Sequence, residues 1–289
     1  MCMICTGEYL GKKQIACSNC PNITEIPVIL GIEKIKCREC PNLTSISIIP
    51  GLKTLHFNSC PNLTTIPTIP GLENVVFYRC ENLIEIPVIP GLKELSIYNC
   101  PNLEKIPIIS GFKKLYCEGC PKLTELPIIP DLNQLQICGC SNLLEIPIMP
   151  GLKELDCWNC VNLTKIACSS SLKRLFCRAC SNLKEISLLP GLENLSCSYC
   201  SSLTEVTDVP TVRGIYVVNC PWIRQNFCFE KNLIRLIKIQ KYFKKHYKLK
   251  LCKLWVQSAE FREWYYHPEG PGGIKAVLRL LNATARFST

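Results

Sequence analysis

Apolar and polar residues recur with a period of 20 over the first three quarters of the chain. Residues 15, 35, 55 and onward to 215 are apolar in all eleven copies, as are 23 to 203 and 26 to 206 in all ten. Cys stands at every twentieth position from 20 to 220, and Asn precedes the 23-type position in eight of ten copies. A unit reads Gly91-Leu-Lys-Glu-Leu-Ser-Ile-Tyr-Asn-Cys100-Pro-Asn-Leu-Glu-Lys-Ile-Pro-Ile-Ile. Twenty residues are too few for a helical pair, which needs over about 30. Proline recurring inside Ile106-Pro107-x-Ile109 excludes an α-helix there and predicts an extended, polyproline-like return segment. Gly at 11, 31, 51, 71, 91, 111, 151 and 191 marks a turn that needs either positive φ or close backbone approach.

The spacing Leu92-x-x-Leu95-x-Ile97-x-x-Cys100-x-x-Leu103 resembles the leucine-rich repeat, in its form with Cys rather than Asn at the turn. The resemblance covers residues 11–220. It implies a parallel strand around 94–96 of each unit, stacked at about 4.8 Å per copy. The expected fold is a mainly β repeat solenoid with an extended Pro-rich convex side. The short Pro-rich units are also similar to those of secreted bacterial effector repeats. Residues 1–10 form a stub and partial cap, 11–220 the repeats, and 221–289 a basic helical cap or tail. Ala167-Cys168-Ser169-Ser170 lacks both prolines and the apolar residue, so that copy is expected to loosen. Ser201–Thr211 drifts as a terminal repeat would.

Composition alters this picture in two places. The chain has 289 residues and net charge +10, yet residues 1–220 hold 19 basic and 19 acidic residues. The whole excess lies in 221–289, with 14 basic against 4 acidic. Secondly, 23 Cys are present. An odd count without a recognisable export signal argues against a disulfide framework and for an intracellular protein, and no apolar run is long enough to span a membrane. The Asn-x-Thr triplets at Asn22, Asn42, Asn62 and Asn162 are by-products of the repeat.

Six CxxC pairs, Cys17/Cys20, Cys37/Cys40, Cys117/Cys120, Cys157/Cys160, Cys177/Cys180 and Cys197/Cys200, suggest zinc or redox chemistry when read alone. Sister copies replace the first Cys by Phe57, Phe77, Ile97, Ile137 and Val217. That substitution pattern marks an inward core site, where the thiol serves as a small hydrophobe. The second Cys is expected to donate weakly to a turn carbonyl of a neighbouring copy. No metal, cofactor or small-molecule substrate is therefore expected. With His56, His246 and His267 the only histidines and no nucleophile motif, neither is an enzyme.

Two surfaces carry candidate function. The outward strand positions include Tyr78, Tyr98, Tyr116, Trp158, Phe176, Arg178 and Tyr216, residue types that dominate binding hot spots. Aromatics also simply suit strands. Trp158 beside Phe176 would make a contiguous apolar patch for an unknown protein partner, with the chain itself a monomer. The second surface is the tail. Residues 231–255 hold nine Lys/Arg and no acid, with one apolar helical stripe and Lys238, Lys241, Lys245 and Lys248 on the other side; Lys241, Lys244, Lys245 and Lys248 are the candidate contact residues. The stripe is read as a cap on the last repeat. Ile239-Gln240 followed by Lys244-Lys245 resembles an IQ motif, implying a calmodulin-like or other anionic partner such as membrane or nucleic acid. Trp264-Tyr-Tyr-His-Pro268 is similar to closing segments of mimivirus-like giant-virus proteins, which would place the chain in a host cytoplasm.

Overall fold

The computed structural model describes residues 3–167, 169–186, 191–206 and 214–221, without side-chain detail at 205–206 and 214–218. Eleven five-residue strands, from Gln14–Ser18 to Gly214–Val218, form one parallel sheet in strict chain order. Each residue pairs with the one 20 positions on, as in Leu95↔Leu115 and Ile97↔Cys117. This is the parallel-strand solenoid expected from the repeat.

The period of two explains the strand. In Glu94–Tyr98 and its equivalents the second and fourth residues point inward and are buried. The column holding Phe57, Phe77, Ile97 and six of the cysteines lies in the core at every copy whose side chains are described, and Phe57 and Phe77 stack at 5.8 Å between centroids. The positions held by Leu92, Cys100, Leu103, Ile106 and Ile109, and their buried equivalents in other copies, complete the interior. Full burial of one Leu or Ile contributes about 1.5–3 kcal/mol.

Three bends close each unit. Leaving the strand, residue 19 of the repeat takes the left-handed conformation in every copy described, with φ between 51° and 66° at Asn19, Glu39, Ser59, Arg79, Asn99, Gly119, Gly139, Asn159, Ala179, Tyr199 and Asn219. Its N–H continues the ladder, as where Arg79 donates to the Tyr98 carbonyl at 2.8 Å. Next comes a turn closed by the N–H of Leu103 on the Cys100 carbonyl, with Pro101 and Asn102 at its centre. The third bend, Ile89-Pro90-Gly91-Leu92, is closed by Leu92 N–H on the Ile89 carbonyl, with φ +88° at Gly91. Pro second and a positive-φ Gly third are the requirements of a type II turn.

From Asp131 onward the third bend changes. Neither Asp131 nor the later Gly151 and Gly191 has positive φ, because a side chain at 131 cannot occupy the glycine region near +80°. Gly151 follows the Asp131 backbone so closely that a Cβ would lie 2.6 Å from the Pro130 carbonyl oxygen. Both reasons expected for glycine at this position thus operate, in different copies.

On the return side a second sheet forms only in places: Glu25–Ile26 with Ser45–Ile46, and a four-stranded run from Glu145–Ile146 to Glu205–Val206. The deciding residue is position 7 of the following unit. Ser47 and Ala167 donate their N–H to the Ile26 and Ile146 carbonyls at 2.8 and 2.9 Å. Pro67, Pro87, Pro107, Pro127 and Pro147 have no N–H, and the ladder is missing at each. This corrects the expectation that the copy at 167–170 loosens. Loss of its prolines adds a ladder bond, while Ser169 Oγ donates to the Met149 carbonyl at 3.1 Å and Ser171 Oγ to the Pro150 carbonyl at 2.6 Å. Cys168 is outside the described residues.

At the N-terminal end a one-turn helix, Met3–Thr6, lies against the first strand, and Cys5 Sγ sits 3.2 Å from Cys20 Sγ. The C-terminal helical cap and residues 222–289 fall outside the described residues.

Candidate functional site

The outward row of the sheet is built by strand alternation. Residues 14, 16 and 18 of each repeat face away from the core, and residue 19 sits at the rim. Tyr78 and Tyr98 are direct partners in register, with ring centroids 6.2 Å apart and planes tilted by 46°. The Arg79 guanidinium lies over the Tyr78 ring at 5.3 Å, a cation–π arrangement. Tyr116 is half-buried and donates from its hydroxyl to Gln134 Oε1 at 3.4 Å. Gln134 in turn donates to Glu154, which pairs with Arg174. These rings are held on a fixed surface.

Farther along, the rings stand free. Trp158 and Phe176 are 42% and 40% exposed. They are not side by side as expected: register places Arg178 opposite Trp158 and Asp156 opposite Phe176, so the two aromatics are diagonal neighbours. Arg178 leans over Tyr199 at 5.8 Å, and Tyr199 is itself exposed. This end of the face therefore mixes open rings with Arg178 and with Asp156, whose carboxyl is pushed above the usual range by burial. Tyr216 pairs in backbone register with Ser196, but its side chain is outside the described region, as are Lys241, Lys244, Lys245 and Lys248.

The thiols have a different role. Cys157 and Cys160 are fully buried, as are their counterparts in neighbouring copies, and no disulfide joins the described cysteines. The ladder thiols donate to carbonyls: Cys160 Sγ reaches the Trp158 and Ile137 carbonyls, both at 3.7 Å, and Cys180 those of Arg178 and Cys157. One bond lies within the copy's own strand and the other reaches the copy before. Burial pushes the Cys160 thiol up, so it is a neutral donor at physiological pH. Among the described residues no three His, Cys, Asp or Glu side chains converge in a way that would hold a metal, and no helix is long and apolar enough to cross a membrane.

Asn42, Asn62 and Asn102 also have a structural task. Each donates from its amide to a carbonyl of the preceding copy at 2.8 Å. Of the Asn-x-Thr triplets, those at Asn42 and Asn62 carry this bond.

Sequence reasoning missed the left-handed residue 19, although Asn and Gly at six of its eleven positions were a readable signal. It also missed a row of exposed aliphatics on the return side, including Val28, Ile48, Val88, Ile108, Ile128 and Ile148.

Among solved structures the chain is similar to a crystal structure of a leucine-rich repeat protein from Bacteroides ovatus ATCC 8483, with TM-score 0.51 and 21% identity. The fold is a leucine-rich-repeat solenoid. The match covers 67% of this chain and 57% of that one, so the chain spans little more than half the length of its structural neighbour. No family model and no curated protein matches the chain. The likeness concerns the solenoid alone and does not bear on the tail's IQ-like or giant-virus resemblance.

Proposed function

We propose that this chain is a non-catalytic recognition scaffold that binds a partner protein on the strand face of its solenoid. The observation that carries the reading is the open aromatic cluster of Trp158, Phe176 and Tyr199 around Arg178, on a sheet whose backbone is already fully paired. Large rings held on a rigid platform bury area on binding with little loss of side-chain freedom. Solenoids of this fold commonly act as protein-interaction scaffolds. Tyr78, Tyr98 and Tyr116 extend the same surface, with less exposed area to contribute.

The test is affinity of the full chain for a partner captured from native extract. Trp158→Ala should weaken binding at least about 30-fold, equivalent to about 2 kcal/mol, with thermal stability nearly unchanged. A partner that ignores Trp158→Ala and Tyr116→Ala, but is lost when Lys241, Lys244, Lys245 and Lys248 are changed to Gln, overturns the reading in favour of the tail.

A further inference from the structure

Charge along the strand face is uneven. The strand Lys34–Arg38 presents Lys34, Lys36 and Arg38 on its outward row, at alternate residues and hence about 6.6 Å apart. The strand before contributes Gln14, Ala16 and Ser18 in register, and the strand after contributes Thr54, His56 and Asn58. Neither brings an acid. Two carboxylates border the row in the chain: Glu39, which pairs with Arg38 at 3.0 Å on an exposed rim, and Glu33, which is paired with Lys13 at 3.0 Å and Lys53 at 3.7 Å. Several cations elsewhere in the stack pair with an acid one copy away: Lys53 with Glu33, Lys93 with Glu73, Lys173 with Glu193 and Arg174 with Glu154. His56 reports the uncompensated field, since burial first and then Lys36 and Lys34 hold its imidazole below the usual range. Lys34 and Lys36 have no cross-strand acid and Arg38 has only the rim partner Glu39, so a bound anion would relieve the remaining repulsion along the row.

We propose that Lys34, Lys36 and Arg38, flanked by Gln14, His56 and Asn58, form a subsite for an extended acidic peptide segment with carboxylates at alternate residues. An extended chain places alternate side chains on one side at the same spacing of about 6.6 Å, so one carboxylate meets each cation. Neutral donors on both sides can take the remaining oxygen lone pairs. Single-stranded nucleic acid fits less well. It needs open rings beside the phosphate track, and the first ring in this row, Tyr78, lies two strands away, already faced by Tyr98 and Arg79. The subsite rests on the strand face being the partner surface, and it gives that partner's chemistry: an acidic strand at one end and apolar anchors near Trp158.

The experiment uses the full chain and three labelled probes at low salt: a peptide alternating glutamate and threonine, a peptide of the same composition in two blocks, and oligothymidylate. The alternating peptide should bind tightest. Replacing Lys34, Lys36 and Arg38 together by Gln should weaken it at least about tenfold. Lys241→Gln, Lys244→Gln, Lys245→Gln and Lys248→Gln together should change it less than about twofold. Saturation with peptide should raise the His56 pKa followed by NMR, because a nearby carboxylate stabilises imidazolium. Absence of binding, equal binding of the two peptides, tighter oligothymidylate binding, or loss only in the tail variant would each overturn the subsite. Capture of the native partner separates the two proposals. A partner lost with Trp158→Ala but indifferent to the triple variant removes the subsite and leaves the scaffold, whereas indifference to Trp158→Ala removes the scaffold reading.

Discussion

The strand side and the return side of each unit are made of the same chain and share one core, yet they hold together differently. On the strand side every described copy pairs with the next over five residues, and the ladder is continuous across eleven strands. On the return side pairing stops at each copy whose position 7 is proline and resumes where it is Ser47 or Ala167. The interior residues are equally buried behind both. Apolar burial therefore sets the stack, and backbone pairing on one side suffices to fix its register. Proline on the other side fixes an extended backbone without needing a partner, at the cost of the N–H it lacks.

The largest effect should come from breaking the continuous side. Leu135→Pro or Leu155→Pro removes a ladder donor and a fully inward side chain at mid-stack, and should cost at least about 4 kcal/mol. Each copy touches only its neighbours, so hydrogen exchange should show lost protection around the lesion and retained protection in distant copies. Cooperative loss of all protection would show that the two sides behave as one unit.

Alkali probes the core the two sides share. Burial raises the folded-state pKa of Cys160 above the value of about 8.5 for an unfolded thiol. Such a group contributes stability that is complete below the unfolded pKa and is lost as pH rises toward the folded one. Cys160 should then subtract up to about 1.4 kcal/mol per pH unit above about 8.5. Urea midpoints should be flat between pH 6 and 8, both below that value, and fall steeply above it. A midpoint unchanged well above the unfolded thiol pKa would show that the thiols are not the closed interior described.

Exchanging the return-side residues tests the comparison itself. Ala167→Pro deletes the N–H that meets the Ile146 carbonyl and should cost about 1–3 kcal/mol, with exchange rising at the flanking ladder. Pro107→Ala offers an N–H to the Ile86 carbonyl. Its new bond, worth about 1 kcal/mol, is nearly offset by the lost rigidity of proline, so stability should barely move while a protected amide appears at 107. If Pro107→Ala acquires no protected amide, proline is not what interrupts the second sheet.

The repeat made the solenoid legible because inward residues recur at fixed spacing: Leu95, Ile97, Cys100, Leu103 and Ile106 can face one interior only if the chain coils once per 20 residues. The strand face was legible for the same reason, since alternation in Glu94–Tyr98 fixes which side Tyr98 occupies. The left-handed bend was harder to see. Arg79, Ala179 and Tyr199 carry no signature of positive φ, and only the column as a whole, rich in Asn and Gly, hints at it. The return ladder was obscured because proline was read as the rule and its replacement at Ala167 as damage. In fact an N–H at that position is a gain. The basic row at 34–38 needed register with Gln14–Ser18 and Thr54–Asn58 before its lack of cross-strand acids could be seen.

The smallest predicted effects concern the two left-handed bends that join the sides, and they run in opposite directions. Residue 19 of the repeat has φ of 51–58° wherever it is not Gly119, inside the small left-handed region open to any L-residue. Ala179 sits there at 54° with no side-chain compensation, so Ala179→Gly removes about 1 kcal/mol of local strain and loses part of it again to the greater freedom of glycine in the unfolded chain. A net gain of a few tenths to about 1 kcal/mol is expected. Gly91, at +88°, lies beyond that region although open space surrounds it, so the obstacle to a side chain is the backbone alone. Gly91→Ala should therefore cost about 1 kcal/mol, or convert this bend to the non-positive form already used at Asp131, whichever is less costly. Urea melts of the two variants give the signs. If both destabilise, the bend after the strand depends on a side chain at residue 179, and its tolerance of Arg79, Tyr199 and Glu39 would require a separate explanation in each copy.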